Sequence, residues 1–164
     1  MADRKVSYSF KLSDILAGVR FKNARIKNRV IRDVSDVIVS EVLDKVAQGK
    51  SPVKGQRFDG LSPGYKKFKQ SEGGQSIPNL ELQGAMLASL KITRTNDVMQ
   101  LHVSTSEEEK ADGHNQHTSK AKSWAKRTGF PRRAFIPDDG EVFKDDIIRK
   151  AAKVIREGLE EDSG

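Results

Sequence analysis

Aliphatic side chains recur at every fourth residue in the first third of the chain. The recurring positions are Ile26, Val30, Val34, Ile38, Val42 and Val46. Because residues four apart share one face of an α-helix, the pattern predicts a long helix over residues 26–46 with a broad apolar stripe. Its β-branched residues have low helix propensity, so tertiary packing has to stabilise it. Gly49 is the predicted end of this helix.

A second helical pattern occupies the C-terminal part of the chain. Its apolar face comprises Phe143, Ile147, Ala151, Ile155 and Leu159. Asp138 or Asp139 is predicted to cap this helix, with Glu141 in the first turn, where an acidic residue interacts favourably with the helix dipole. The chain is therefore expected to have an amphipathic helix towards each end.

Two shorter helices are predicted between these two. Ser62 is the expected cap of the first, with Pro63 at its first position. Tyr65 and Phe68 give this helix an aromatic side, and its other side is formed by Lys66, Lys67 and Lys69. Asn79 is the expected cap of the second helix. The apolar residues of that helix are Leu82, Met86, Leu87 and Leu90.

From Leu90 onward the apolar period changes to two, which predicts a β-hairpin. The alternating positions are Leu90, Ile92 and Arg94, then Val98, Leu101 and Val103, on either side of Thr95-Asn96-Asp97. The register changes near Met99, which suggests a bulge there. A weaker alternation over residues 6–16 predicts a strand at a sheet edge, or an arm that pairs with a neighbour.

Together these elements predict an α+β fold, with a long N-terminal helix and a C-terminal helix packed on a small antiparallel sheet. The predicted division is an N-terminal arm at residues 1–24, a single domain at 25–160 and a disordered tail at 161–164. Residues 107–130 are poor in aliphatic side chains and predict a long basic loop that is functional or ordered by a partner. Residues 131–137 predict a short extended segment.

The distribution of charge indicates what kind of partner to expect. The chain has 164 residues and a net charge of +7, from 30 basic and 23 acidic side chains. Basic residues concentrate at 20–32, 50–69 and 120–133, and acidic ones at 107–109 and 157–162. Such segregation suits head-to-tail contact between identical subunits, or contact with DNA or an acidic protein surface. Solubility alone is the alternative explanation.

Composition also excludes several classes of function. There is no cysteine, which excludes disulfides, thiolate metal sites and cysteine nucleophiles. No apolar run is long enough for a signal peptide or a membrane span, so a soluble protein made in the cytoplasm is expected. Walker loops, nucleophile elbows, dinucleotide-binding glycine motifs and paired catalytic carboxylates are missing from the sequence. We therefore predict a protein that is not an enzyme and that has no cofactor.

Four short motifs resemble, in order and spacing, those of the phage virion-morphogenesis and tail-completion family. Residues 61–69 (LSPGYKKFK) are similar to its "L-S-P-x-Y-x-x-x-K" segment, and residues 80–90 (LELQGAMLASL) to its "L-x-L-T-G-x-L-x-x-S-I" stretch. Residues 111–115 (ADGHN) stand at its "Y-A-x-x-H-N-x-G" position, and residues 131–136 (PRRAFI) at its "P-x-R-x-F-L" position. The resemblance extends over roughly residues 61–159.

This resemblance implies a structural virion protein of a tailed bacteriophage. Members of the family are thought to complete or cap the tail, or to join it to the head, often as a homo-oligomeric ring. The implied partners are other neck and tail proteins, such as the connector and the tail tube. The implied location is the neck of the virion, with assembly in the host cytoplasm. His114 and Asn115 are implied to form a structural hydrogen-bonding element that holds a loop to a strand.

Five residues are predicted to bind partners: Trp124, Lys126, Arg127, Arg132 and Arg133. Trp124 is the only tryptophan and has basic neighbours, as is typical of an interface anchor, with a core position as the alternative. Arg132 and Arg133 suit contacts with phosphate or carboxylate, unless one of them packs its stem on the sheet. Reversing both arginine charges is expected to stop heads and tails joining while the monomer stays folded.

Two other functions compete with this interpretation. A basic DNA-binding module would explain the charge and the basic loop, but the sequence lacks a recognition-helix or stacking-platform motif. A metal enzyme would use the spacing of His114 and His117, with Asp112 nearby. Such a site needs these residues on a helix with further ligands, whereas Gly113 favours a loop. A nuclease built on Asp112, His114 and Asn115 would need a ββα frame that the sequence does not show. No metal site is predicted.

Overall fold

A computed structural model of the chain describes residues 6–80, 84–115 and 131–164. Within these ranges the fold is α+β, as predicted. The helices are α1 (Leu12–Ile15), α2 (Ala24–Ala47), α3 (Pro63–Ser71), α4 (Ala85–Ala88), α5 (Glu108–Asn115) and α6 (Asp145–Ser163). The strands are β1 (Ser7–Phe10), β2 (Lys91–Thr95) and β3 (Val98–His102), and a 3-10 turn (Thr105–Glu107) precedes α5. No helix in the described ranges is long and apolar enough to cross a membrane.

Helix α2 has a defined cap at each end. The Asn23 side chain accepts hydrogen bonds from two backbone amides of the first turn, at 2.8 and 3.3 Å. At the other end Gly49 has a φ of +71°, and its N–H donates to the carbonyl of Val46. The N–H of Lys50 donates to the carbonyl of Lys45, which completes a Schellman motif. The predicted stop at Gly49 is confirmed.

The sheet is three-stranded and antiparallel, with the order β1-β3-β2. The sequence prediction of an edge strand near the N-terminus is therefore confirmed for β1. Strands β2 and β3 form the predicted hairpin, which turns at Asn96 and Asp97 with Asn96 at a φ of +54°. The pairing runs without interruption past Met99, so the predicted bulge is wrong. Met99 and Leu101 both point into the core, whereas Val98 is only half-buried beside the turn.

The described part of the predicted N-terminal arm belongs to the domain itself. Val6, Phe10 and Leu12 are buried in its core. The predicted disordered tail at 161–164 is wrong, because α6 continues to Ser163. The Asp162 carboxylate accepts the backbone N–H of Asn23 at 2.8 Å and that of Lys22, so the end of α6 is attached to the segment before α2.

Two predicted helix caps are also wrong. Helix α6 starts at Asp145 after Lys144, whereas Asp138 and Asp139 lie at the preceding turn. Phe143, predicted on the helix, instead forms a backbone bridge with Val53. Helix α4 starts after Gly84, which has a φ of +74°. Asn79 is buried, and its side chain accepts a hydrogen bond from Lys69.

The long loop predicted at 107–130 is wrong in its first part, since α5 covers Glu108–Asn115. Residues 116–130 lie outside the described residues. The predicted extended segment at 131–137 forms no strand and is largely buried. Helices α2 and α6 pack against each other, and their apolar stripes share one core with the inner face of the sheet. This core places α5 and the segment after residue 130 side by side.

Candidate functional site

Asn115 connects the end of α5 to an irregular segment that contains Phe135 and Ile136. Its side chain is fully buried. The Oδ1 atom accepts the N–H of Phe135 at 2.9 Å and that of Ile136 at 3.5 Å, and Nδ2 donates to the Ile136 carbonyl at 3.4 Å. The N–H of Arg133 donates to the His114 carbonyl at 2.8 Å. These bonds supply partners for buried backbone groups that no helix or strand satisfies.

Arg132 forms a bidentate ion pair with Glu141. Its two terminal nitrogens donate to the two carboxylate oxygens at 2.8 Å each, and its Nε donates to the Asn115 carbonyl at 2.8 Å. Glu141 also accepts from Gln56 Nε2 at 3.0 Å and from the N–H of Asp138 at 2.9 Å. A two-point arginine–carboxylate contact is among the stronger hydrogen-bonded pairs in proteins. The charge of Arg132 is thus engaged within the chain.

Arg133 lies deeper than Arg132 and is only 4% exposed. Its Nη2 donates to the backbone carbonyl of Asp59 at 3.3 Å. Burial lowers the pKa of Arg133, while the nearby Asp59 carboxylate and Tyr65 phenol act in the opposite direction. The guanidinium therefore joins the segment after residue 130 to the loop that leads into α3.

The structure brings together only some of the predicted contact residues. Arg132 and Arg133 are adjacent to His114 and Asn115 in one polar cluster. Trp124, Lys126 and Arg127 lie outside the described residues. A partner contact of any of the five stays a prediction. The sequence analysis expected the monomer to stay folded when both arginine charges are reversed. Because Arg132 and Arg133 form bonds within the chain, this double reversal is instead expected to destabilise the monomer.

The pKa of the His114 side chain is strongly lowered in the folded chain. Its imidazole is largely buried at the end of α5, and burial lowers its pKa from 6.5 to about 4, with a further contribution from the Arg133 charge. The neutral ring is therefore the form present in the folded protein at neutral pH. An imidazole with a pKa of about 4 suits a structural role better than proton transfer near pH 7.

Acidification is expected to destabilise the protein through His114. Because its pKa is lower in the folded chain, the unfolded chain takes up a proton first as the pH falls below 6.5. Between pH 7.5 and pH 4.5 this group is expected to reduce the free energy of unfolding by about 2 kcal/mol. Urea denaturation at both pH values measures the change. His114→Gln should show a smaller pH dependence than the wild type. An unchanged dependence in His114→Gln would contradict the assignment.

Helix α3 presents aromatic side chains to solvent. Tyr65 is 41% and Phe68 is 48% exposed, and their ring centroids are 6.0 Å apart. Lys66 and Lys67 are exposed as well, on the other side of the helix. Within the described ranges, no other helix or strand packs extensively against α3. Exposed Tyr and Phe side chains are typical of a protein-binding surface.

The Lys69 side chain attaches α3 to the segment that follows it. Its side chain is 2% exposed, and its Nζ donates to the Ile77 carbonyl at 2.9 Å and to Asn79 Oδ1. A Cβ atom at Gly74 would lie 2.9 Å from the Lys69 Cγ, so the glycine leaves room for the lysine stem. The helix is therefore fixed by its lysine, while its aromatic residues stay outside.

The aromatic side of α3 was visible in the sequence, but its exposure was not. Lysine is almost never fully buried, so pattern reasoning would place Lys69 in solvent. The one sequence signal is the Gly73-Gly74 pair, which allows the chain to approach the lysine. The described residues contain no group of three or more His, Cys, Asp or Glu side chains suited to hold a metal ion.

Comparison with known proteins adds no relative: no protein-family model matches this chain, and no curated protein or solved structure does so.

Proposed function

We propose that this chain is a structural assembly subunit of a tailed bacteriophage, which acts at the head–tail junction as a neck, tail-completion or tail-terminator protein in a ring. The observation that carries this proposal is the exposure of aromatic side chains on α3. The residues that resemble the family's "L-S-P-x-Y-x-x-x-K" segment form a helix that displays Tyr65 and Phe68 and buries Lys69. An assembly subunit needs such a rigid, partner-accessible surface.

The polar cluster supports the same proposal. The residues that resemble two other motifs of the family are His114 and Asn115 on one side and Arg132, Arg133 and Phe135 on the other. These two groups bind each other through the contacts of Asn115 and Arg132. The side chains of Asn115, Arg132 and Arg133 hold the segment in place. We therefore assign this cluster a structural role, with α3 as the surface for assembly.

An amber mutation tests the proposal in the phage that encodes this chain. We introduce the stop codon early in the gene and grow the phage in a non-suppressing host. Electron microscopy is expected to show DNA-filled heads and separate tails, and a plasmid copy of the gene is expected to restore joined virions. Normal infectious particles without the plasmid would contradict the proposal.

The alternative is a basic DNA-binding module. Binding to duplex DNA with nanomolar affinity, falling steeply as salt is raised, would favour that function. The surface lysines Lys66 and Lys67 of α3 are its best support among the described residues. Their aromatic neighbours Tyr65 and Phe68 are equally suited to a protein partner, and the family resemblance favours the protein.

A further inference from the structure

Strand β2 is an edge of the sheet. It pairs with β3 alone among the described strands, and all its residues except Ile92 are exposed. Because the hairpin turns over two residues, Thr95 and Val98 face each other as a hydrogen-bonded pair, and the pairs beyond them alternate. The N–H and C=O groups of Ile92 and Arg94 therefore point away from β3. Within the described ranges, neither residue makes a backbone hydrogen bond outside the sheet.

An open edge of this kind is a template for another extended chain. Charged side chains are a common means of keeping unwanted strands away from such an edge, and β2 carries Lys91 and Arg94. The two cations disfavour a basic strand, including β2 of a second copy, and favour a strand that brings carboxylates. The charge of β2 thus selects the kind of chain that can pair with it.

Helix α2 places further cations along the same edge. The Asn28 side chain accepts a hydrogen bond from Arg94 Nη1 at 2.7 Å, so this face of α2 lies beside β2. Arg25 and Arg32 stand three residues before and four residues after Asn28, which puts them on the same face. Both are exposed, and within the described residues neither forms an ion pair. Their charges are therefore available to a partner.

Arg94 is held in position by acceptors that carry no charge. Its Nε donates to the Asn96 carbonyl at 2.6 Å, and its Nη1 donates to Asn28. The acidic residue of the turn, Asp97, is paired with Lys27 at 2.8 Å. A guanidinium that is already ordered loses less conformational entropy when it binds a carboxylate.

We propose that the open edge of β2 binds an extended acidic segment of another protein, which joins the sheet as an additional strand. Main-chain hydrogen bonds from Ile92 and Arg94 hold this segment, and its carboxylates meet Arg25, Arg32 and Lys91. A nucleic-acid backbone satisfies the cations but not the N–H and C=O groups of the edge. The inference goes beyond the proposed function, because it concerns β2 and α2 instead of α3 and names the chemistry of a partner.

The test is fluorescence anisotropy with the full-length protein and labelled peptides of about nine residues. The first peptide alternates glutamate and valine, and the second has lysine in place of glutamate. The third is the glutamate peptide methylated at every backbone nitrogen, which keeps the charge but removes the donors that strand pairing needs. The first peptide is expected to bind, and to bind more weakly at high salt. The other two are expected to bind about tenfold more weakly or worse.

Two variants locate the binding surface. Arg25→Glu/Arg32→Glu is expected to weaken binding of the glutamate peptide about tenfold or more, and it removes no ion pair from the folded chain. Arg94→Glu is expected to act in the same direction. Lys66→Glu/Lys67→Glu is the matched control, since it makes the same change of charge on exposed positions of α3. It is expected to bind like the wild type, and circular dichroism checks that every variant is folded.

A wild type that does not bind the glutamate peptide, or that binds the methylated peptide equally well, would overturn the proposal. So would tighter binding of duplex DNA that is lost in Arg25→Glu/Arg32→Glu, because a phosphate backbone would then be the occupant. Self-association that is lost in the same variant would assign the surface to a second copy instead. The assay needs no phage, so its failure is distinct from failure of the amber test.

Discussion

Replacing Asn115 by alanine is expected to lower the free energy of unfolding by about 3 kcal/mol. The change removes the acceptor that holds the N–H of Phe135 at 2.9 Å and the donor that reaches the Ile136 carbonyl. Both backbone groups belong to buried residues, so water cannot easily replace the lost amide. Chemical denaturation in urea at pH 7.5 measures the loss.

Asn28→Ala is the control for this prediction. Asn28 is also helical, and its side chain accepts a hydrogen bond from Arg94 at 2.7 Å, but the residue is exposed. Its replacement is expected to change the stability by about 0.5 kcal/mol or less. Equal losses of stability in the two variants would show that burial does not increase the contribution of the Asn115 hydrogen bonds to the free energy of unfolding.

The long helices could be predicted because burial and periodicity agree in them. The buried residues of α2 repeat at the spacing that its aliphatic side chains show in the sequence, and Gly49 ends the helix by its positive φ. The hairpin was predicted for the same reason. The bulge was not confirmed, because Val98 was counted as a core position although it lies beside the turn.

The polar cluster could not be predicted from local pattern. Asn115 and Phe135 are 20 residues apart, and Gln56 is 85 residues from Glu141. Nothing in the neighbouring sequence of either partner specifies such contacts, since they depend on how the core places the segments. The family resemblance implied a structural hydrogen-bonding role for His114 and Asn115, but it did not give the direction in which Arg132 and Arg133 point.

The burial of Lys69 and of Arg133 has a common physical reason. Both are long side chains whose charged ends meet backbone carbonyl groups, those of Ile77 and Asp59. Because every loop offers carbonyl acceptors, sequence composition does not predict these contacts. Each cation fixes an irregular segment near α3.

Replacing Gly158 by alanine is expected to destabilise the protein by about 3 kcal/mol, although alanine normally favours a helix by about 1 kcal/mol over glycine. The added Cβ would lie 2.2 Å from Val30 Cγ2 and 3.5 Å from the Phe21 ring. Val30 is 1% exposed, so it has little room to move, and α2 and α6 would have to separate. Thermal and urea denaturation measure the loss.

Gly64→Ala provides the control, because Gly64 is also helical and a Cβ there meets nothing within 4 Å. It is expected to leave the stability unchanged or to raise it by about 0.5 kcal/mol. Val30→Ala, which makes room for the new methyl group, should reduce the cost of Gly158→Ala when the two are combined. A strictly additive double variant would mean that the contact with Val30 does not limit the approach of α2 and α6. A large coupling would establish that this glycine sets the distance between the two helices on which the core depends.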